Sequence, residues 1–365
     1  MMSRKINKMA TSPKSAPAST NRHTSVAPAT SFPWHTRQWE TCLHMQRTNR
    51  IHHAFLLRGA HGNGKQTFAT RWANALVCEE TQPERRPCGL CRGCVLFGAN
   101  THPDIKMVEP PPGKKAIGID QIREVIDYVW LSRQFAPWKI VSIPGAERMT
   151  PAAANTLLKT LEEPPGNAVF ILVSHRSDRL PITIRSRCRF LDFPIPPRES
   201  VLPWLVERLP RGSDAALLLD AAGGAPQLAL RYGEDGTLEK RVALHQELTM
   251  LLTGKANPFT VAARWKELGF AVVLPWIVAY LMDLIRSRFT GETRSVAGEA
   301  QPAIHAKDAN HANAMRPLAD KPNLAYCYRL LDRCLDAQRA REDSANLNEP
   351  LLLDGLAIDF AIHDS

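Results

Sequence analysis

The chain has 365 residues, 44% of them apolar and 22% charged, with a formal net charge of +10. That balance fits two or three folded domains and excludes a chain that is mostly unfolded. The charge does not make a basic body: residues 1–58 hold nine Lys/Arg against the single acid Glu40, leaving only +2 for the remainder, so any nucleic-acid contact must come from local patches.

Residues 1–33 are rich in Ser, Thr, Ala and Pro, lack periodicity, and are expected to form a disordered N-terminal extension. They contain no apolar signal core. The longest apolar stretch, Ala271 to Ile285, is interrupted by Pro275 and Asp283 and falls short of the roughly 20 residues a membrane span needs. The expectation is a cytoplasmic protein with no membrane partner.

From 34 to 195, strand-length apolar runs alternate with helical patterns. Ala54-Phe55-Leu56-Leu57 runs into a glycine loop, and a helix is expected over Gln66–Leu76. Ile119–Trp130 places Ile119, Ile122, Ile126, Val129 and Trp130 on one helical face. Ile140–Ile143 reads as a short strand. Thr150-Pro151 has the form of an N-cap followed by Pro at the first helical position, and that helix stops before Pro164-Pro165. Ala168–Ser174 and Arg189–Phe193 complete the strands. Such alternation predicts an α/β domain with a parallel sheet. Beyond Pro197 the strand signals vanish. Helices are expected over Val201–Leu209, within Ala215–Tyr232, and over Leu238–Leu252, Thr260–Phe289, Leu324–Arg341 and Glu349–His363, with a flexible loop at 290–322.

Four of the eight cysteines cluster between 78 and 94. Cys88, Cys91 and Cys94 are spaced C-x₂-C-x₂-C, and Cys78 lies just upstream. Four thiolates suit a closed, structural tetrahedral Zn²⁺ site. An iron–sulfur site or a set of reduced thiols stays open. Gly89 and Gly93 ease the turns such ligands need.

Residues 59–66, Gly-Ala-His-Gly-Asn-Gly-Lys-Gln, follow the phosphate-loop pattern up to its last position. Gly59, Gly62 and Gly64 allow backbone amides to curl around a phosphate, and Lys65 can neutralise its charge. The Mg²⁺-binding hydroxyl is replaced by Gln66, and Thr67 lies about 100° further round the helix. The metal-binding acid expected after the Ile140–Ile143 strand is replaced by Pro144-Gly145-Ala146, with Glu147 coming too late. Nucleotide binding thus stays open, whereas hydrolysis of ATP is not expected.

The string Ala153-Ala154-Asn155-Thr156-Leu157-Leu158-Lys159-Thr160-Leu161-Glu162-Glu163-Pro164-Pro165 is followed by Arg179-Leu180-Pro181 and then Ser186-Arg187-Cys188. With the cysteine insertion and Thr101-His102-Pro103-Asp104 behind it, this order closely resembles the bacterial clamp-loader family of AAA+ proteins, most densely over 52–195. The resemblance implies an AAA+ phosphate-loop domain (34–195) with its Cys₄ zinc module (78–94), a helical lid domain (196–236) and an all-α collar domain (237–365). It implies that Arg187, with Ser186 and Cys188 as its motif, acts as a catalytic arginine in trans on a neighbour's nucleotide. It also implies a hetero-oligomer with motor (gamma/tau) and delta subunits, reaching the beta sliding clamp and primed DNA through the assembly, within the DNA polymerase III holoenzyme. No arginine stands at Ala225-Pro226-Gln227, where the family's sensor arginine falls. Gln66 and Pro144-Gly145 depart from the motor subunits. Two alternatives are an active motor ATPase, which needs Ser or Thr at 66 and acids at 144–145, and a zinc-dependent nucleic-acid-binding module, which predicts a basic body.

Overall fold

The apolar runs between Ala54 and Asp192 come together as one parallel sheet. In the computed structural model, whose described residues are 31–290, 323–343 and 348–362, α1 (Thr36–Arg47) leads into β1 (Ala54–Arg58), α2 (Lys65–Val77), α3 (Arg92–Gly98) and β2 (Ile105–Met107). There follow α4 (Ile119–Trp130), β3 (Lys139–Pro144), α5 (Pro151–Glu162), β4 (Ala168–Ser174), α6 (Ile182–Arg185) and β5 (Arg189–Asp192). The strand order is β2-β3-β4-β1-β5, and every neighbouring pair is parallel. β3 and β4 are buried along their whole length, which is why they read as continuous apolar runs rather than alternating ones.

Helices cover both faces. On one, Phe68, Trp72 and Leu76 of α2 pack with Cys42 and Met45 of α1 against Phe55, Ile171 and Val173. On the other, Ile122 and Val125 of α4 and Leu157 and Leu161 of α5 pack against Leu56, Val141 and Phe170. Local signals fix the helix starts. Thr150 caps α5 by accepting a hydrogen bond from Ala153 N at 3.2 Å, and Pro151 fills the first turn, where its missing N–H costs nothing.

After β5 the described chain is helical: α7 (Arg198–Val206), α8 (Ala215–Ala221), α9 (Pro226–Glu234), α10 (Thr237–Leu252), α11 (Pro258–Leu268), α12 (Phe270–Thr290), α13 (Leu324–Asp343) and α14 (Glu349–Ala361). Residues of α10 to α14 share one apolar core around Trp265, Tyr280 and Phe360. Among the described residues, no helix is long and apolar enough to cross a membrane.

Three expectations need adjustment. The single helix expected over Thr260–Phe289 is two, because Gly269 sits at φ +87° and breaks it. The extension expected over 1–33 lies outside the described residues up to residue 30. Its last part is packed: Phe32 is buried, stacked on Trp34 with ring centroids 4.8 Å apart and edge-on to Trp204 of α7. The loop expected over 290–322 lies outside the described residues except for Thr290, which ends α12. The sequence reading also missed α1 and the three-residue β2.

Candidate functional site

The glycine loop leaves the C-terminal end of β1 and opens α2, the position at which a phosphate would meet backbone amides and a helix N-terminus. Gly62 and Gly64 lie at φ +84° and +87°, backbone that L-residues rarely adopt. A side chain at Gly64 would strike the Phe32 ring, and one at Gly62 would press on Leu228 and Ala225. The loop is thus closed in by the segment before α1 and by the start of α9.

Its polar groups are already engaged within the chain. Lys65 is buried, and its Nζ donates to Ala60 O at 2.6 Å. Burial brings its pKa down to about 8, against the opposing pull of Glu147. Asn63 Nδ2 donates to Phe193 O and Pro194 O, each at 3.1 Å, while Asn63 O accepts from His35 Nε2 at 2.8 Å and Trp34 Nε1 at 3.2 Å. From α9, Gln227 N donates to Gly62 O at 3.0 Å, and Gln227 Nε2 donates to Thr67 Oγ1 at 3.2 Å. The one hydroxyl near the missing Ser/Thr position therefore already accepts a hydrogen bond. Gln66 itself is exposed.

The far side of the site sets a cation beside a carboxylate that the chain itself already engages. β3 ends at Pro144 and the chain turns through Gly145 at φ +66°. Arg148 folds back, its Nη2 donating to Pro144 O at 3.1 Å. Glu147 is held by His175 N, which donates to its Oε1 at 3.2 Å. His175 and His61 meet edge to face, ring centroids 4.7 Å apart. Burial, reinforced by the charge of Lys65, takes His175 down to about 4. Burial and then the charge of Arg231, from α9, lower His61.

Arg187 lies elsewhere. It follows α6, just before β5, and Arg189 at the start of β5 pairs with Phe55 near the start of β1. The glycine loop begins after Arg58, at the other end of β1. The strand rise separates the two levels by about 13 Å, so Arg187 lies by the starts of the strands and the loop at their C-terminal ends. Nη1 of Arg187 donates to Thr183 O at 2.9 Å and to Ser186 Oγ at 3.2 Å, and Nη2 pairs with Glu162. Cys188 is buried against the α5 face of the sheet, and burial pushes its thiol up to about 12. It is an apolar anchor for the segment, not a nucleophile.

The four cysteines converge. The Sγ atoms of Cys78, Cys88, Cys91 and Cys94 all lie within 4.8 Å of one another, the nearer pairs being Cys78–Cys91 at 3.8 Å and Cys88–Cys94 at 4.0 Å. Tetrahedral ligands at about 2.3 Å from one ion would sit roughly 3.8 Å apart. Backbone amides of Glu79, Cys88, Cys91 and Cys94 donate to these sulfurs at 3.3–3.4 Å, as thiolate ligands require. The donor set can hold a metal ion. Gly89 does turn through φ +75°. Gly93 serves a close approach instead: a Cβ there would lie 2.4 Å from Val77 O, so glycine lets α3 seat on the end of α2.

Thr101-His102-Pro103-Asp104 has a structural account. Asp104 is fully buried and accepts from Gln134 N, Phe135 N and Ala136 N at 2.9, 2.7 and 2.9 Å, with Lys139 Nζ 3.6 Å away. Burial works to raise its pKa, but those amides and Lys139 outweigh it and hold the carboxylate low. The motif ties the strand after the cysteine module to the turn before β3.

Arg148, Asn63, Gln227, Arg231 and His175 were missed from sequence. Arg148 had a signal, a cation within one turn of the strand end where a metal site needs acids. Trp34 and Gln227 had none, since their contacts span 29 and 160 residues.

A five-stranded parallel sheet of this order, a glycine loop leaving β1 and helices continuing beyond β5 define an AAA+ phosphate-loop protein with helical appendages. Residues 34–197 match the family described as DNA polymerase III, delta subunit. The chain is 32% identical over 327 residues to the DNA polymerase III subunit delta-prime of Pseudomonas aeruginosa, covering 88% of this chain and 96% of that protein. It is 32% identical over 286 residues to the delta-prime subunit of Escherichia coli K12, covering 78% and 84%. A solved DNA polymerase III gamma-subunit-related protein from Thermotoga maritima aligns over 89% of this chain and 98% of its own, at 19% identity and a TM-score of 0.41. The chain belongs to the delta-prime family of DNA polymerase III subunits.

Proposed function

We propose that this chain is a non-hydrolysing subunit of the DNA polymerase III clamp loader, which lends Arg187 to the ATP site of a neighbouring motor subunit. The observation that supports the trans role is the placement of Arg187 and the glycine loop at opposite ends of the neighbouring strands β5 and β1. An arginine so placed cannot reach its own loop, whereas a planar guanidinium at a protomer edge suits a neighbour's phosphate oxygens.

The loss of hydrolysis follows from chemistry. Mg²⁺ needs oxygen ligands at about 2.0–2.1 Å in near-octahedral order. Gln66 offers no hydroxyl, Thr67 is engaged by Gln227, and the strand end presents the guanidinium of Arg148. Lys65 and the loop glycines remain, so ATP can be held without turnover once Lys65 leaves Ala60 O. Zn²⁺ is the metal that four clustered thiolates suit best, in a structural role. The helical region from α10 to α14 serves as the collar that joins motor and delta subunits. Through them the complex, in the cytoplasm, places the beta clamp on primed DNA.

The test is co-purification with motor and delta subunits and a native mass of the complex, followed by clamp-stimulated ATP hydrolysis with Arg187→Ala in this chain. The expected result is normal assembly with turnover lowered by roughly a hundredfold or more at the adjoining site. Failure to join the complex, or unchanged turnover, would overturn the reading.

A further inference from the structure

We infer that Glu162 is a positioning residue for Arg187, aiming its guanidinium at the neighbour's nucleotide. The inference rests on the trans reading of Arg187 and extends it to the residue behind the arginine.

An arginine that protrudes from a four-residue helix end explores many rotamers, and each must be abandoned when it docks on phosphate. Here the guanidinium is fixed at three points. Two of them, Thr183 O and Ser186 Oγ, belong to its own turn and move with it. The third, Glu162, comes from the end of α5. That helix is anchored to the sheet, with Leu157 and Leu161 fully buried and Thr150 capping its start. Glu162 is thus the contact that refers the guanidinium plane to the rigid sheet rather than to a short loop.

The electrostatics agree. The Glu162 and Arg187 side chains are 47% and 32% exposed, so the pair adds little stability. Its effect is orientation. A guanidinium set in place before the partner arrives needs no reorganisation at the moment charge develops on the transferred phosphate. The next acid along, Glu163, follows the end of α5 and makes no such pair with Arg187, which provides an internal control.

The experiment uses the reconstituted complex with Arg187→Ala, Glu162→Ala, Glu162→Gln, Glu162→Asp, Glu163→Ala and the Glu162→Ala/Arg187→Ala double variant. Joining is checked by native mass, and kcat and KM for ATP are read separately. Expected are a roughly tenfold fall in kcat for Glu162→Ala with KM within twofold, and recovery in Glu162→Gln, which keeps an acceptor at the same reach. Glu162→Asp, one methylene short, shares the loss, Glu163→Ala keeps wild-type turnover, and the double variant falls no further than Arg187→Ala. Wild-type kcat in Glu162→Ala alongside a depressed Arg187→Ala would overturn the positioning role and leave the trans arginine standing. Additive losses in the double variant would also overturn it. Wild-type kcat in Arg187→Ala would overturn both. Should Glu162→Ala fail to join the complex, equal wild-type rates in Glu162→Asp and Glu162→Gln reject the inference, and a low rate in the first with a high rate in the second sustains it.

Discussion

Arg148 donates from Nη2 to the carbonyl oxygen of Pro144 at 3.1 Å, so the end of β3 carries a guanidinium. A metal-dependent phosphoryl transfer site places carboxylates there. The wall opposite the loop thus pairs the Arg148 guanidinium with one carboxylate, Glu147, that His175 N already holds, so the missing hydroxyl at Gln66 is not the sole departure.

That arrangement makes a repair experiment informative. Gln66→Thr restores the hydroxyl without supplying an acid or moving Arg148. The purified variant is expected to show ATP hydrolysis indistinguishable from wild type and from background, measured as phosphate release with Mg²⁺. Vigorous Mg²⁺-dependent turnover in either protein would refute the electrostatic argument.

The cysteine cluster predicts a stoichiometric metal. Metal analysis of the purified chain should find one zinc ion, and Cys91→Ser should lose it, because three thiolates and a hydroxyl bind far more weakly than four thiolates. Iron with visible charge-transfer absorption would assign the site to another metal.

Asp104 offers a stability test away from any ligand. Asp104→Ala would strand three backbone amides and leave the Lys139 ammonium buried with no carboxylate. Breaking such a buried pair costs about 3–5 kcal/mol, to be read from the denaturant midpoint. A loss under about 1 kcal/mol would show that water replaces the carboxylate.

Acid should loosen the contact between the segment before α1 and the glycine loop. Burial takes His35 down to about 4, helped by Lys65 and Arg71 and opposed by its bond to Asn63. Because the folded value lies below the ordinary 6.5, the unfolded chain binds a proton that the native chain refuses. Stability is therefore full above about pH 6.5 and declines as pH falls toward 4. Between pH 7 and pH 5 the His35 contribution to the loss is roughly 2 kcal/mol. Thermal melts at both pH values, compared with His35→Phe, check this; an equal pH response in the variant would remove His35 as the cause.

Periodicity and punctuation made much of the α/β layer legible. Ile119–Trp130 and Ala168–Ser174 appear with their expected bounds, and Thr150-Pro151 caps its helix as the sequence suggests. Short or atypical elements were not legible: β2 is only Ile105-Lys106-Met107 at the sheet edge, and α1 has a polar average composition. At the site, the glycines, Lys65 and the four cysteines could be read because their spacing is local. The closure of the loop by Phe32, Asn63 and Gln227 could not, since it is made of contacts between distant segments.

Gln227 touches the loop twice, through its backbone N–H to Gly62 and its side-chain amide to Thr67. Bonds internal to the polypeptide thus tie the helices after the sheet to the loop and bear on the angle between them. Any swing of those helices against the sheet must first break both bonds, so this latch, rather than the slack of the connecting chain, governs how far the two can hinge.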